Sequence, residues 1–418
     1  MRKRMHTRLL HWFTLSLLLV GLVYDSYRYP LRINSTATSP TYADTPPWLS
    51  VGKYVIIASL VGALVLALRA SGRKIALYKA PYALLYLYLC VVPIFYGIMM
   101  HSPEIVEGGF FFMIPLMLHL TAGHRVDVSV CTRFFVAATV LAIVTDALQV
   151  TAFLVWARLP ALAYNDSIMV RFGGYWDDPN GFGIFLAFLI PFAAEYWRGS
   201  IVGGLVILAL GTCLVLTQSL TAIGAVFLAM TALGIIRLAS RWRMRWSTLA
   251  LGAALCLAGT LVLYWDWGVL GDLWIEYQGL RMASINAHLL PAGQEIWNLP
   301  AASLLGFWPL VPTTESGYVN MLGSCGLVYV LALMVAELCG VANYARRLAA
   351  GCEDRACTAL CSGAICFLTA VFLAEFNLPV DRIFPINLFA CLLLGLASGR
   401  VIAPAATFSA RAPDAPAR

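Results

Sequence analysis

Long, uninterrupted runs of apolar residues are the feature that most limits the folds open to this chain. Hydrophobic residues make up 61% of the 418 residues and charged residues only 12%, whereas soluble domains carry about 25% charge. A soluble fold with so little charge would expose large apolar patches, and the apolar mass excludes intrinsic disorder. Because the runs lack the alternating pattern of barrel strands, the sequence predicts an all-α, polytopic membrane protein with a single integral membrane domain over 1–418.

Twelve runs are long enough to be membrane-spanning helices, which need about 17–25 mostly apolar residues. The 200–238 stretch is divided into two spans because Thr217, Gln218 and Ser219 suit a tight turn. The twelve predicted spans lie near 9–24, 50–68, 80–100, 108–122, 130–156, 179–197, 200–217, 221–238, 246–265, 317–342, 357–377 and 386–403.

The distribution of Lys and Arg predicts the orientation of these spans. With the N-terminus inside, the inner segments hold 21 Lys and Arg residues and the outer segments hold seven. This bias predicts that both termini are cytoplasmic. It also explains the net charge of +7 without a nucleic-acid partner, for which the sequence contains no motif. The basic stretch Arg2–Arg8 precedes an apolar run without an A-x-A cleavage motif and is interpreted as the start of a retained first helix.

The eleven cysteines all fall in predicted spans or inner loops, which argues against disulfides. Cys352, Cys357, Cys361 and Cys366 raise the alternative of a metal site. Their spacing is helical, however, and lacks a paired CxxC motif. They are therefore interpreted as small helix-packing residues, and no metal is expected.

The first of two long outer segments, 157–180, ends in the motif Arg171-Phe-Gly-Gly-Tyr-Trp-Asp-Asp-Pro-Asn-Gly-Phe-Gly. Asp178 is predicted to cap a helix that begins at Pro179, which favours capping over a metal role for Asp177-Asp178. Arg171 just before a helix N-terminus suits phosphate binding, with a lipid-headgroup contact as the alternative. Tyr175 and Trp176 are predicted to lie in the headgroup layer.

The second outer segment, 266–316, is the longest predicted loop and is expected to contain a short helix at 272–289. Arg281 and His288 are seven residues apart and share a helix face. They suit anion binding and proton transfer, or they form the solvated face of an interfacial helix. Glu315 stands just before the next span, where it can act as a general base or complement the helix dipole.

Asp146 is the deepest charge in the predicted membrane region, and such carboxylates usually face a cavity or a partner. The other carboxylates at helix ends are predicted to be solvated or paired locally, Glu195 with Arg198, Glu337 with Arg346, and Glu375 or Asp381 with Arg382.

These motifs, in this order and with about twelve spans, resemble the bacterial O-antigen ligase and O-antigen (exopolysaccharide) polymerase superfamily of glycosyltransferases. The resemblance rests on the Arg171 motif, the Leu-Thr-Gln-Ser turn at 216–219, the long outer loop with Arg281, and Glu315-Ser-Gly-Tyr-Val-Asn-Met-Leu-Gly-Ser-Cys-Gly-Leu. The matching motifs lie within roughly 130–345, and the predicted arrangement of spans extends the resemblance to most of the chain.

The resemblance implies a multi-pass enzyme of the bacterial inner membrane that transfers glycans from undecaprenyl pyrophosphate to a glycan acceptor, without a cofactor. Arg171 and Arg281 would bind the pyrophosphate, and Glu315 or His288 would activate the acceptor. The accessory residues would be Asp146, Asp178, Asn180 and Arg382. Membrane lipid, a chain-length regulator and a flippase of the same pathway are the further partners implied.

Ligases of this superfamily carry a His-Asn-like step where this chain has Thr314-Glu315-Ser316. The acidic residue favours an inverting, metal-independent polymerase, and an O-antigen ligase acting on lipid A–core lipopolysaccharide is the alternative. A secondary transporter is the alternative from another class. It would need broken helices, inverted repeats or several coupled membrane charges.

Overall fold

The structure is a computed structural model. It describes residues 2–23, 47–70, 80–120, 125–156, 163–166, 169–176, 178–241, 293–310, 314, 316–352, 354–378, 383–398 and 400–402.

The described chain is mostly helical, as the sequence predicts. The first half contains helices α1 (Arg2–Val23), α2 (Pro47–Ala70), α3 (Ala80–Met99), α4 (Pro103–Phe111), α5 (Met113–Leu120), α6 (Val128–Trp156), α7 (Pro179–Tyr196), α8 (Ile201–Leu216) and α9 (Leu220–Arg241). After a short helical segment at 293–298, the second half contains α10 (Ala301–Leu304), α11 (Gly317–Cys325), α12 (Leu327–Ala349), α13 (Arg355–Ala374) and α14 (Ile386–Ser398).

Six of the described helical stretches are long and apolar enough to cross a membrane: Pro81–Met99, Pro103–Leu120, Val128–Thr151, Thr221–Leu238, Leu327–Ala349 and Arg355–Ala374. Four shorter apolar helices accompany them: Trp12–Leu22, Val51–Leu66, Ile201–Leu216 and Ile386–Ala397. This arrangement is that of a multi-pass helical membrane protein. The predicted span at 246–265 lies outside the described residues.

The fourth predicted span was wrong at its start. The helical stretch begins at Pro103 and not near residue 108. Two carboxylates made this stretch look too polar in the sequence. Glu104 falls in the first turn of α4, where the helix dipole favours a negative charge. Glu107 accepts a hydrogen bond from the Tyr54 hydroxyl of α2.

Two short strand pairs were not predicted. Strands β1 (Arg125–Asp127) and β4 (Arg400–Ile402) pair in parallel, with Arg125 opposite Arg400. Strands β2 (Ala163–Asp166) and β3 (Met169–Phe172) form an antiparallel pair. The first pair brings together two segments that the sequence assigns to the same, inner side of the bundle.

Helix α7 forms the centre of the bundle and packs most extensively against α13. Its phenylalanines are buried, and the ring of Phe188 stacks on Phe135 of α6 with centroids 4.0 Å apart. The close approach to α13 depends on Gly363, because a Cβ there would lie 3.0 Å from the Phe188 backbone oxygen. The middle of α7 is therefore packed closely against both α6 and α13.

The predicted span at 317–342 is broken, which the sequence did not indicate. Helix α11 ends before Gly326, whose φ of 87° and ψ of 169° are open essentially to glycine alone. The chain then reverses into α12, so that the Tyr318 hydroxyl donates a hydrogen bond of 3.0 Å to Glu337. The two helices form a hairpin, defined here as the α11–α12 hairpin, with Gly326 at its tip.

Replacing Gly326 by alanine should destabilise the protein strongly. A Cβ at this position would lie 2.7 Å from the backbone nitrogen of Gly306 and would also force a strained backbone. The sum of strain and overpacking predicts a loss of about 3–5 kcal/mol in unfolding free energy, measured as a lower thermal midpoint in detergent.

The matched control is Gly351→Ala. Gly351 also has a positive φ, 84°, but a Cβ there meets nothing within 4 Å. Only backbone strain of about 1–2 kcal/mol is expected. Equal midpoints for the two variants would contradict the packing described for the hairpin tip.

Candidate functional site

Arg171 lies on β3, where it stands opposite Tyr164 of β2. Its Nε donates to the backbone oxygen of Thr217 at 2.9 Å, and its Nη2 donates to Oδ1 of Asn180 at 2.6 Å. The guanidinium is therefore fixed between the N-terminus of α7 and the turn that joins α8 to α9. A guanidinium held in one orientation in this way suits the binding of an anion.

The cap of α7 confirms the interpretation of Asp178. Its two carboxylate oxygens accept hydrogen bonds from the backbone nitrogens of Asn180 (3.0 Å) and Gly181 (2.9 Å), and Pro179 occupies the first turn. Arg171, Asp178 and Asn180, three of the predicted site residues, thus meet at one helix terminus.

The tight turn predicted between α8 and α9 is also confirmed. Gln218 has a φ of 49°, and the Ser219 hydroxyl accepts a hydrogen bond of 3.2 Å from the backbone nitrogen of Ala222. The reversal directs the Thr217 carbonyl toward Arg171.

The prediction that Tyr175 and Trp176 lie in the headgroup layer was wrong. Both side chains are buried, and the Trp176 ring packs on Phe185 and Phe389 at centroid distances of 4.6 and 5.9 Å. Gly174, with a φ of 60°, lets the chain turn inward at a point where a Cβ would overlap the Phe182 ring. The motif is therefore anchored in the protein core and not in lipid.

Asp146 on α6 is 1% exposed and lies beside the Cys213 thiol of α8. Neither carboxylate oxygen makes a hydrogen bond of normal geometry within the described residues. One turn further along α6, Gln149 donates a hydrogen bond of 2.5 Å to the backbone oxygen of Gly174. Asp146 is thus a buried carboxylate one helical turn from the Arg171 motif.

The residues on both sides of Glu315 are fixed by hydrogen bonds, although Glu315 itself lies outside the described residues. The Ser316 hydroxyl caps α11 by accepting from Val319, and it donates to the backbone oxygen of Glu375 at 3.4 Å. The Asn320 side chain accepts from Thr314 and donates to its backbone oxygen at 2.8 Å.

A series of contacts connects Arg171 with this segment. The Asn377 amide, just after α13, donates a hydrogen bond of 2.8 Å to Thr221, in the first turn of α9 that follows Thr217. The backbone oxygen of Glu375, two residues before Asn377, accepts from the Ser316 hydroxyl and from the backbone nitrogen of Tyr318. These residues lie at one end of the bundle, defined here as the polar rim: Arg171, Asn180, Thr217, Thr221, Asn377, Glu375 and Ser316.

Three carboxylates were predicted to be solvated or paired locally, and the structure corrects two of these predictions, those for Glu195 and Glu337. Glu195 contacts Arg237 of α9 and not Arg198. Glu337 is 4% exposed and bound to Tyr318, because the hairpin folds α11 back over it. Glu375 is 2% exposed, and its predicted partner Arg382 lies outside the described residues.

A small internal cavity of about 50 Å³ lies beside Glu337 and Glu375, with Asn387 and Tyr329 also on its walls. Most of the lining is apolar, and Phe111, Phe112 and Leu333 are part of it. Two buried carboxylates therefore border one largely apolar cavity.

The remaining predicted site residues, Arg281 and His288 on the expected helix 272–289, also lie outside the described residues. Their proximity to Arg171 stays a prediction.

Three cysteines of the predicted helical group come together at the opposite end of α13 from the polar rim, namely Cys352, Cys357 and Cys361. Hydrogen bonds from the Cys357 and Cys361 thiols lower the pKa of Cys352 far below that of a free cysteine, and the nearby Arg347 acts in the same direction. Cys366 is not part of this group and contacts Ala229 and Met230 of α9 instead.

Comparison with protein-family models and with curated proteins finds no match to this chain. The resemblance to the O-antigen ligase and polymerase superfamily therefore rests on the motifs and on their arrangement.

Replacing Asp178 tests its role as a cap. Asp178→Ala removes both acceptors of the α7 N-terminus and should lower stability by about 1 kcal/mol, read as a lower thermal midpoint in detergent. Asp178→Asn retains a good capping side chain without the charge and should stay near the wild-type value. A large loss in the asparagine variant would show that the charge, and not the cap, is what the site needs.

Proposed function

We propose that this protein is an inverting polysaccharide polymerase that joins undecaprenyl-pyrophosphate-linked repeat units at the outer face of the bacterial inner membrane. The observation that carries the proposal is the Arg171 guanidinium, held by Asn180 and Thr217 at the N-terminus of α7. A guanidinium held in one orientation favours the oxygens of a phosphate. The motif resemblance supplies the kind of phosphate.

The proposed chemistry suits these groups. A lipid pyrophosphate is a good leaving group, so stabilisation of its developing negative charge is the main requirement for bond cleavage. Arg171 would supply part of this stabilisation, and Arg281 would supply the rest from the large outer loop. A glycosidic bond forms to the acceptor hydroxyl as the sugar–phosphate bond breaks.

The acceptor hydroxyl must lose a proton, and Glu315 is the proposed general base, with His288 as the alternative. The hydrogen bonds at Thr314 and Ser316 fix the chain on both sides of Glu315 next to the polar rim. The Asp146 carboxylate and Arg382 remain accessory candidates.

The arginine variants test this proposal directly. Arg171→Ala should lower the polymerisation rate by about 100-fold or more, the usual cost of removing a preorganised group that stabilises transition-state charge. Arg171→Lys keeps the charge but loses the planar fork, so an intermediate loss is expected. The measurements are the ladder of chain lengths in a complemented deletion strain and the turnover of a carrier-linked oligosaccharide in vitro.

Arg346→Ala is the matched control, because it removes an arginine that is exposed at the end of α12 away from the polar rim. Protein level and thermal midpoint separate a folding defect from a loss of activity. Wild-type chain lengths in both Arg171→Ala and Arg281→Ala would overturn the proposal. Polymer that accumulates on the carrier while lipid A–core stays bare in the deletion strain would identify a ligase instead.

A secondary transporter is the second candidate, and the broken α11–α12 hairpin favours it. Transporters of this class combine discontinuous helices with buried charges near the membrane midplane. Glu337 and Glu375 share a cavity beside this break, and Asp146 is buried in α6. These are features that a proton-coupled mechanism would use.

Reconstituted vesicles distinguish the two candidates. A transporter would take up members of a panel of labelled sugars and organic anions under an inward proton gradient, and Asp146→Asn or Glu337→Gln would abolish the uptake. Glu104→Gln, at an exposed helix start, should leave it unchanged. Uptake that does not depend on the proton gradient, together with carrier-linked polymerisation, would reject the transporter.

A further inference from the structure

The three cysteines at the beginning of α13 have the geometry of a metal site. Their Sγ atoms all lie within 4.8 Å of one another, and the Sγ atoms of Cys352 and Cys357 are 3.1 Å apart. Metal–sulfur bonds of about 2.3 Å place the sulfur atoms about 3.8–4.0 Å apart in tetrahedral or trigonal sites. An ion therefore fits with shifts of less than about 1 Å in each sulfur.

The local backbone explains why these three residues meet. Cys357 and Cys361 are four residues apart on one face of α13. Cys352 reaches them from the loop that follows α12, because Gly351 turns the chain with a φ of 84°. Sequence spacing alone misses this arrangement, since the first ligand is not on the helix and the fourth cysteine of the run, Cys366, faces α9.

Positive charge lies next to the three cysteines. Cys357 lies in the first turn of α13, at the positive end of the helix dipole. Arg347 is held nearby by hydrogen bonds to the backbone oxygens of Leu396 and Ala397, the latter at 2.6 Å. Its positive charge offsets part of the charge of a metal–thiolate centre.

We propose that Cys352, Cys357 and Cys361 bind a single thiophilic metal ion, Zn²⁺ or Cu⁺. Soft thiolate ligands select these ions over Mg²⁺, Ca²⁺ or Mn²⁺. Three sulfurs complete a trigonal Cu⁺ site, whereas Zn²⁺ takes a water molecule as its fourth ligand on the partly exposed side of Cys352. On binding, the thiol protons pass to solvent as the metal–sulfur bonds form.

The ion would tie the loop after α12 to the start of α13. Arg347, in the last turn of α12, connects that helix to α14. The metal would therefore fix three helices relative to one another at the end of the bundle that lies opposite the polar rim. This site is independent of the proposed glycan chemistry.

Metal titration of the reduced, full-length protein in detergent tests the proposal, with Zn²⁺ alone and Cu⁺ alone against chromogenic chelators. One equivalent per chain is expected for at least one of the two ions. Cys352→Ser and Cys361→Ser should each weaken binding by more than the roughly 10–100-fold that loss of an outer-shell partner costs. Cys366→Ala, on the same helix but facing α9, should bind as tightly as the wild type.

Three results would overturn the proposal: no stoichiometric binding of either ion by the reduced wild type, equal binding after all three cysteines are replaced by serine, or a Cys352–Cys357 disulfide in protein alkylated at the moment of lysis. Should Cys361→Ser fail to fold because the residue is fully buried, the wild-type titration and the partly exposed Cys352→Ser variant still decide.

Discussion

The absence of water from the bilayer core sets the terms of this structure, because every backbone polar group there needs a partner within the protein. Continuous helices meet this condition by themselves, whereas the end of a helix, such as that of α11 before Gly326, leaves backbone groups that need other partners. The short segment around α10 covers it. Leu310 and Ser303 both donate to the Gly323 carbonyl, and the Tyr96 hydroxyl bonds Gly306 beside the hairpin tip. A helix can therefore end inside the bundle at the cost of a closely fitted glycine contact.

The same principle explains why Arg171 is positioned so firmly. Polar groups need partners where the chain emerges from the core. The Arg171 guanidinium satisfies two such groups, the Asn180 side-chain oxygen at the start of α7 and the Thr217 backbone oxygen in the turn between α8 and α9. The backbone oxygen of Gly174 accepts a hydrogen bond from Gln149, which connects the Arg171 motif to the helix that carries Asp146. The Arg171 guanidinium and a buried carboxylate thus belong to one connected set of contacts.

Local patterns in the sequence predicted a large part of this architecture. The apolar runs located most helices, the Asp-Pro step located the cap of α7, and the polar triplet at 217–219 located a turn, because each depends only on neighbouring residues. The break at Gly326 was missed because the apolar run continues across it. The burial of Glu337 and Glu375 was missed for a related reason, since their surroundings come from segments distant in the chain. Tyr175 and Trp176 suit an interface and a core equally well by composition, and only the fold distinguishes the two.

The parallel pairing of β1 with β4 has a consequence for how the molecule is made. Residues 125–127 emerge early in synthesis, whereas residues 400–402 emerge after the last described helix. At about 5–20 residues per second, the ribosome needs tens of seconds to supply the second strand. Until then the first strand presents unpaired hydrogen-bonding groups at its edge. The inserted helices can therefore pack together early, whereas the β1–β4 pair can form only after nearly the whole polypeptide has been made.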